Sequence, residues 1–336
     1  MTETVTARAP LRISLAGGGT DIPSYSARHG GLVIACAIDR YVGVTVHPRE
    51  FRGRLRTATD SCETVAEAAR HPDPMLRACL TRAGLVRDRQ VTVFGDVPSG
   101  SGLGGSAALA VSVLHAAAHR CAPGADALDA DALAETASRI EIEDLGRAVG
   151  KQDHYMAAHG GVRILRFAPS GRVETESLDL DPGVRAELEE RLLLFYTGIS
   201  RDAGDVLSEQ NRRTLQGHGD ALERLHAIRR IADDMADCLR KGDLDGVGPL
   251  VEEHWRLKSR LGSRVSSPWL QELHDRALAA GAAGGKLLGS GGGGFLLLVC
   301  ARDRRQSVRR AMTGAGLTEL RFRFTEHGSR AVALPL

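Results

Sequence analysis

The run Pro98-Ser99-Gly100-Ser101-Gly102-Leu103-Gly104-Gly105-Ser106 sets flexible backbone and hydroxyl groups directly before a helix-forming stretch. Glycine permits positive φ and close approach of backbone to a bound group, while a helix start offers free N–H groups and the positive end of its dipole. The chemistry that fits this combination is the cradling of a phosphate. Such a cradle needs a strand to deliver the loop and a helix to receive it. Val91-Thr92-Val93-Phe94 alternates like a strand, and residues 107–118 are rich in strong helix formers, so both are expected.

Two stock phosphate motifs fit less well. Gly100-x-Gly102-x-x-Gly105 has the spacing of the dinucleotide fingerprint, which also needs an acidic residue about twenty positions later. Asp126 is near that spacing but sits in a loop-like Ala-Pro-Gly-Ala segment, which argues against a nicotinamide or flavin. Gly285-Lys286 lacks both the glycine five positions earlier and the following Ser or Thr of a P-loop.

The chain resembles the GHMP kinases, a superfamily of small-molecule kinases, in three blocks that occur in the family's order. They are Arg8-Ala9-Pro10-Leu11-Arg12-Ile13-Ser14-Leu15-Ala16-Gly17-Gly18-Gly19-Thr20-Asp21, the loop from Pro98 to Ala108, and Gly285-Lys286-Leu287-Leu288-Gly289-Ser290-Gly291-Gly292-Gly293-Gly294-Phe295. Within the superfamily, the Ala-Gly-Gly-Gly-Thr-Asp form of the first block and Gly150-Lys151-Gln152-Asp153-His154-Tyr155 look most like the D-glycero-D-manno-heptose 7-phosphate kinases. Galactokinases and mevalonate kinases usually carry Gly-Glu-His where this chain has Gly17-Gly18-Gly19, which makes their substrates less favoured.

The resemblance implies an α+β fold of two domains. The expected division is an N-terminal α+β domain with a left-handed crossover at 1–190 and a C-terminal ferredoxin-like domain at 191–336, with the active site between them. A chain of 336 residues agrees, since it exceeds the size one core usually serves. A net charge of +2, with arginines interspersed among acids, gives no nucleic-acid surface. The apolar runs are too short to span a membrane. Cysteines at 36, 62, 79, 121, 238 and 300 form no C-x-x-C pair and follow no secretory signal, so a reducing cytoplasm is expected rather than a disulfide framework or zinc site. A homodimer is compatible with the sequence, which does not set the oligomeric state.

Only four lysines occur against forty arginines, and Lys151 and Lys286 fall inside glycine motifs. Retention of lysine there points to a need for a compact ammonium, which arginine's planar fork does not reproduce.

Periodicity places early strands at 11–16, 32–38 and 41–47, with Gly30-Gly31 and Asp39-Arg40 as turns between them. Helices are expected near 73–84, 105–120 and 128–145, and strands at 162–167 and 192–196. Leu225, Ile228, Ala232, Met235 and Leu239 recur at helical spacing and predict a core-facing stripe, with Arg224, Arg229, Arg230 and Arg240 on a solvated face. A helix near 267–281 and strands at 295–300 and 320–324 complete a C-terminal α+β unit.

Residue roles follow from the resemblance, position by position. ATP would be cradled by Pro98, Gly100, Ser101, Gly102, Leu103, Gly104, Gly105 and Ser106, with Mg2+ held by Ser106 and Glu141. Glu143 is the rival ligand, and the distance of Glu141 from Gly146 favours Glu141. Asp153 is the expected catalytic carboxylate, accepting or orienting the proton of the acceptor hydroxyl. The alternative for Asp153 is an N-cap of the helix that follows. Arg12 stands where mevalonate kinases have a lysine and is expected to assist by activating the hydroxyl or neutralising phosphate charge. Asp21 matches the family's sugar-binding aspartate, with Gly18, Gly19, Thr20, Gln152, Gly292 and Gly293 as further substrate contacts.

A sugar that already carries a phosphate needs a second anion site. Thr197-Gly198-Ile199-Ser200-Arg201 follows a buried strand and resembles a segment of the heptose enzymes, so Gly198, Arg201 and Lys151 are the candidates. The expected activity is transfer of the γ-phosphoryl group of ATP to the anomeric hydroxyl of a heptose 7-phosphate or related sugar phosphate. A kinase for an unphosphorylated sugar or cyclitol is the alternative, and a sugar-sensing regulator on a silent kinase fold is the reading outside enzymes.

Overall fold

A computed structural model describes residues 3–49, 52–121, 129–200, 209, 211–212, 214–215 and 219–334. Its larger sheet contains β1 (Thr4–Ala16), β2 (Gly31–Pro48), β3 (Leu55–Ala58), β4 (Cys62–Val65), β5 (Arg89–Gly95), β6 (Val162–Phe167) and β7 (Val173–Ser177). The strand β2 is long enough to serve two neighbours on the edge away from β1. Its half Val42–Pro48 pairs antiparallel with β5, and its half Gly31–Cys36 pairs antiparallel with β6. Because β1 and β2 lie at the centre, they are buried over continuous stretches rather than on alternate residues, β1 from Ala9 to Ala16 with Arg12 and Ser14 included.

The expected turn at Asp39-Arg40 is instead an irregularity within one strand. Partners change from Pro10↔Tyr41 to Leu11↔Ile38, so Asp39 and Arg40 bulge out of register. The bulge is occupied: Asp39 N–H donates to Arg323 O at 2.9 Å, and Arg323 N–H donates to the Asp39 carboxylate at 2.8 Å.

The second sheet is antiparallel, with β8 (Leu192–Tyr196), β9 (Ala282–Leu287), β10 (Phe295–Cys300) and β11 (Thr318–Glu319) in the order β11-β8-β10-β9. Helices Gly219–Lys241, Val247–Lys258 and Pro268–Ala279 connect β8 to β9, and Arg305–Gly314 connects β10 to β11, giving the ferredoxin-like order. The stripe Leu225, Ile228, Ala232, Met235 and Leu239 is buried. A strand at β9 was not expected from Ala282-Ala283-Gly284-Gly285, which has weak β-propensity. Its glycines admit neighbours instead: a Cβ on Gly284 would overlap Gly248 O of the Val247–Lys258 helix, and one on Gly285 would lie 2.6 Å from Leu298 Cδ2.

The end of the chain departs from a simple division at 190. After β11, residues 320–324 form no extended strand. Leu320 N–H donates to Leu194 O, while Phe324 makes an isolated bridge with Ile38, so this segment spans from one sheet to the other. A final strand, β12 (Arg330–Leu334), then pairs antiparallel with β1 from Thr4↔Leu334 to Arg8↔Arg330. Among the described residues no helix is long and apolar enough to cross a membrane.

Candidate active site

A cleft of about 1140 Å³ brings the three glycine blocks together. From β5 the chain runs through the glycine loop into the helix Gly105–Cys121, with positive φ at Gly100, Gly102 and Gly104. No acidic residue occupies the first turn of that helix, so its N–H groups and dipole are unopposed. Pro98, Gly100, Ser101, Gly102, Gly104, Gly105 and Ser106 all line the cleft, and Ser106 is exposed there. Leu103 is different. Its side chain is fully buried in the core and its carbonyl accepts from Arg12 N–H at 3.0 Å, so it anchors the loop to β1.

Arg12 reaches from β1 to the first turn of the helix Gln152–His159. Its Nε and Nη2 donate to the two Asp153 oxygens at 2.7 Å each, and Nη1 donates to Gly102 O at 2.6 Å. Arg12 is 4% exposed and Asp153 25%, so the pair is largely screened from water but open on the cleft side. The N-cap position of that helix is Lys151, and no side chain caps it, so Asp153 is bound to Arg12 rather than to a helix end. The fork holds both carboxylate oxygens against one guanidinium plane.

Asp21 lies alongside, accepting from Gly19 N–H at 3.2 Å and from Gln152 Nε2 at 3.0 Å. Burial, then the charge of Asp153, raises its pKa above the usual carboxylate value. Gly150 makes this position available, because a Cβ there would overlap the Asp21 carboxylate. Gly18, Gly19 and Gln152 line the cleft with Asp21. Thr20 does not: it is fully buried, its one hydroxyl proton lies between Gly17 O at 2.8 Å and Leu32 O at 3.0 Å, and the same oxygen accepts from Leu32 N–H. That hydroxyl is consumed in fastening the first glycine block to β2.

The helix expected over 128–145 ends as an α-helix at Arg139 and continues as a π-helical turn over Ile140–Asp144. The turn leaves Glu141 buried against the cleft and Glu143 exposed, with Arg139 at 3.9 Å. Glu141 has Arg147 at 2.9 Å and His154 at 3.2 Å. Burial alone would raise its pKa; His154 and Arg147 outweigh that and hold it at about 2. Ser106 and Glu141 therefore present hard oxygen donors, one neutral and one ionised, of the kind Mg2+ takes. Among the described residues no cluster of three or more His, Cys, Asp or Glu side chains could hold a metal by itself, so phosphate oxygens and water would complete the shell.

Other expected contacts lie elsewhere. Lys151 turns out of the cleft, its Nζ donating to both Glu135 oxygens at 2.8 Å and to Gly171 O at 3.1 Å. Gly198 is exposed beyond the cleft lining, and Gly292 spends its N–H on Val265 O at 2.8 Å. Gly293 and Ser200 line the cleft. Arg201 and Asp126 lie outside the described residues.

Two lysines meet beneath the first glycine block. Lys286, on β9, is fully buried, donating to Leu15 O at 3.2 Å and lying 3.0 Å from His254 Nδ1. It thereby ties the second sheet to the end of β1. Burial, followed by Lys258 and Arg12, pushes its pKa well below the usual lysine value. The unfolded chain keeps this proton to about pH 10.4. Between the folded and unfolded pKa values the unfolded state binds more protons, so stability should rise with pH by up to about 1.4 kcal/mol per pH unit. Thermal melts of the protein and Lys286→Met at pH 7 and 9.5 should show the difference moving in favour of the unmutated chain at the higher pH; a constant difference would refute a depressed Lys286.

Lys258, the last residue of its helix, was not singled out by the sequence. It lines the cleft and donates from Nζ to Gly289 O at 2.5 Å.

The profile of the GHMP kinases N terminal domain matches residues 65–161, and that of the GHMP kinases C terminal domain matches residues 235–316. A D-glycero-alpha-D-manno-heptose 7-phosphate kinase of Campylobacter jejuni is 32% identical over 297 residues, which cover 84% of this chain and 86% of that enzyme. An L-fucokinase/L-fucose-1-P guanylyltransferase of Bacteroides fragilis is 30% identical over 80% of this chain, a match that spans 32% of that longer protein. The crystal structure of a D-glycero-D-manno-heptose 1-phosphate kinase from Bacteroides thetaiotaomicron superimposes with a TM-score of 0.80 at 26% identity, covering 99% of this chain and 100% of that one. With both family domains matched in order, and a relative above 30% identity along most of its length, the chain belongs to the GHMP kinases.

Proposed function

We propose that this GHMP kinase is a sugar kinase that transfers the γ-phosphoryl group of ATP to the anomeric C1 hydroxyl of a heptose 7-phosphate or closely related sugar phosphate. The observation that carries the reading is the juxtaposition of Asp21, Gln152 and the Arg12-bound Asp153 in one cleft, directly beside the glycine loop that Arg12 meets at Gly102 O. Similarity to the heptose 7-phosphate kinase supports the choice of acceptor. Asp21 and Gln152 would hold adjacent sugar hydroxyls. Asp153, held in place by Arg12, would take or orient the proton of the attacking hydroxyl. The loop from Pro98 to Ser106 would hold the ATP phosphates. Ser106 and Glu141 would hold Mg2+, which when bound neutralises phosphate charge. Arg201 is the remaining candidate for the distal phosphate, since Lys151 is engaged by Glu135.

The test is Mg2+-dependent ADP release from ATP across hexoses, heptoses and their terminal phosphates. Turnover is expected with a heptose 7-phosphate and much less with the same sugar lacking the phosphate. Turnover confined to unphosphorylated sugars would remove the distal anion site, and none with any acceptor would leave a sugar-sensing protein on a kinase fold.

A further inference from the structure

Arg12 was the cation expected to meet phosphate charge, but three of its five N–H donors are spent on Asp153 and Gly102, and its charge is paired with the Asp153 carboxylate. A transferring phosphoryl group spreads negative charge over its outer oxygens, and a further cation beside Mg2+ would stabilise it. Lys258 is placed to do so. It is 4% exposed, lines the same cleft wall as Arg12, Asp21 and Asp153, and directs Nζ to within 3.7 Å of where a Cβ on Gly18 would stand. An ammonium carries three N–H donors. Among the described residues, one of them goes to Gly289 O and no carboxylate pairs with the group. A buried ammonium without an anion is unfavourable for folding, and such groups cluster where an anionic ligand completes the site. The position is also one of only four lysines in a chain that uses forty arginines.

We propose that Lys258 is a catalytic cation of this enzyme, its ammonium holding oxygens of the phosphoryl group in transit while Arg12 fixes Asp153. The proposal rests on the kinase reading but on no particular sugar. In the step it serves, the acceptor oxygen forms a bond to the γ-phosphorus and its proton passes to the Asp153 carboxylate. The bond from that phosphorus to the bridging oxygen breaks and its electron pair leaves with ADP. Lys258 keeps its three protons throughout. The contact with Gly289 also ties the third glycine block to the reacting centre, so the same ammonium senses whether that loop is in place.

The groups facing Lys258 are Arg12 and Asp21 from β1 and the loop after it, Asp153 from its helix, Lys286 from β9, and His254 one turn earlier on its own helix. Burial and Arg12 lower its pKa to about 8, against the opposing pull of Asp21 and Asp153. The ammonium is therefore the main form at pH 7 and is lost as pH rises through about 8, so kcat/KM for ATP, which reports the free enzyme, should fall there.

The experiment compares the unmutated protein with Lys258→Met and Lys258→Arg, using whichever acceptor the panel turns over best. Melting temperature and Mg2+-ADP affinity by calorimetry are measured on the same samples. Lys258→Met should lose at least about 100-fold in kcat, the scale of removing one preorganised donor, while its fold and ADP affinity are retained. Lys258→Arg should keep more activity and lose the alkaline limb near pH 8, because arginine stays charged. A Lys258→Met enzyme within threefold of the unmutated kcat, or a Lys258→Arg enzyme that keeps the alkaline limb, would overturn the proposal. If Lys258→Met does not fold, the pH profile of Lys258→Arg decides alone. Absence of turnover in the unmutated protein would overturn both this proposal and the kinase reading, and is distinguishable because it needs no variant.

Discussion

Asp153→Asn should lower kcat about a thousandfold while leaving KM for ATP nearly unchanged, the range expected when a positioned proton acceptor is removed. The geometry makes the substitution a clean one. Asparagine has the shape of aspartate, but its amide nitrogen cannot accept from Arg12, so one arm of the fork at 2.7 Å is lost and no base remains. Arg12 is nearly buried, so some stability goes with the charge, on the order of 1–3 kcal/mol for a hydrogen bond to a charged group. A melt should show a folded protein with a lowered transition, and an ADP-release assay the loss of turnover. Since Arg12 and Asp153 act as one unit, adding Arg12→Met to Asp153→Asn should cost little more than the first change. Retention of kcat within tenfold in Asp153→Asn would remove the carboxylate from the chemistry, and fully additive losses would mean that the two residues work separately.

What the sequence could disclose depended on whether a residue's role is written locally. The strand, loop and helix around Pro98–Ser106 were legible because alternation, glycine and helix formers follow one another within about twenty positions. Strands at Val162–Phe167, Leu192–Tyr196 and Phe295–Cys300 were legible from short apolar runs. By contrast, β12 is defined by its pairing with β1 more than 300 positions away, and nothing within Arg330–Leu334 announces that. The same distance hid the Arg12–Asp153 fork: each residue was a candidate alone, yet their pairing makes Arg12 a holder of Asp153 rather than a free cation.

Lys258 shows the complementary failure. Its surroundings in the sequence, Trp255-Arg256-Leu257-Lys258-Ser259-Arg260, read as an ordinary amphipathic helix end, and only the tertiary fold turns its ammonium into the cleft. Scarcity of lysine was a usable signal, but read through the glycine motifs it picked out Lys151, whose charge is spent on Glu135, and the fully buried Lys286, and it passed over Lys258. The π-helical turn sets Glu141 against the cleft and Glu143 on the surface, which a 3.6-residue periodicity does not foretell, since an extra residue in one turn changes which side faces inward.

Glycines of the second and third blocks have two different reasons to be glycine, and a pair of substitutions separates them. Gly102 has φ +84°, and a Cβ there would lie 2.7 Å from Leu288 O; a Cβ on Gly289 would lie 2.7 Å from Gly102 Cα. These are backbone atoms that no rotamer can move, so the loops interdigitate only while both lack side chains. Gly102→Ala should therefore cost about 2–5 kcal/mol, from the left-handed backbone plus overpacking, and open the cleft along with the fold. Gly105 opens the helix, has no positive φ, and a Cβ there would meet no protein atom within 4 Å. Alanine should suit the helix at that point and add about 0.4–1 kcal/mol of stability. Yet Gly105 lines the cleft, so the methyl group would stand where the cradle expects phosphate. The expected result is a Gly105→Ala protein that melts no lower than the unmutated one but needs at least about tenfold more ATP for half-maximal rate, a loss of about 1.4 kcal/mol in binding. An unchanged ATP requirement would mean that Gly105 is not part of a phosphate cradle, and a stable, active Gly102→Ala would refute the interlocking of the two loops.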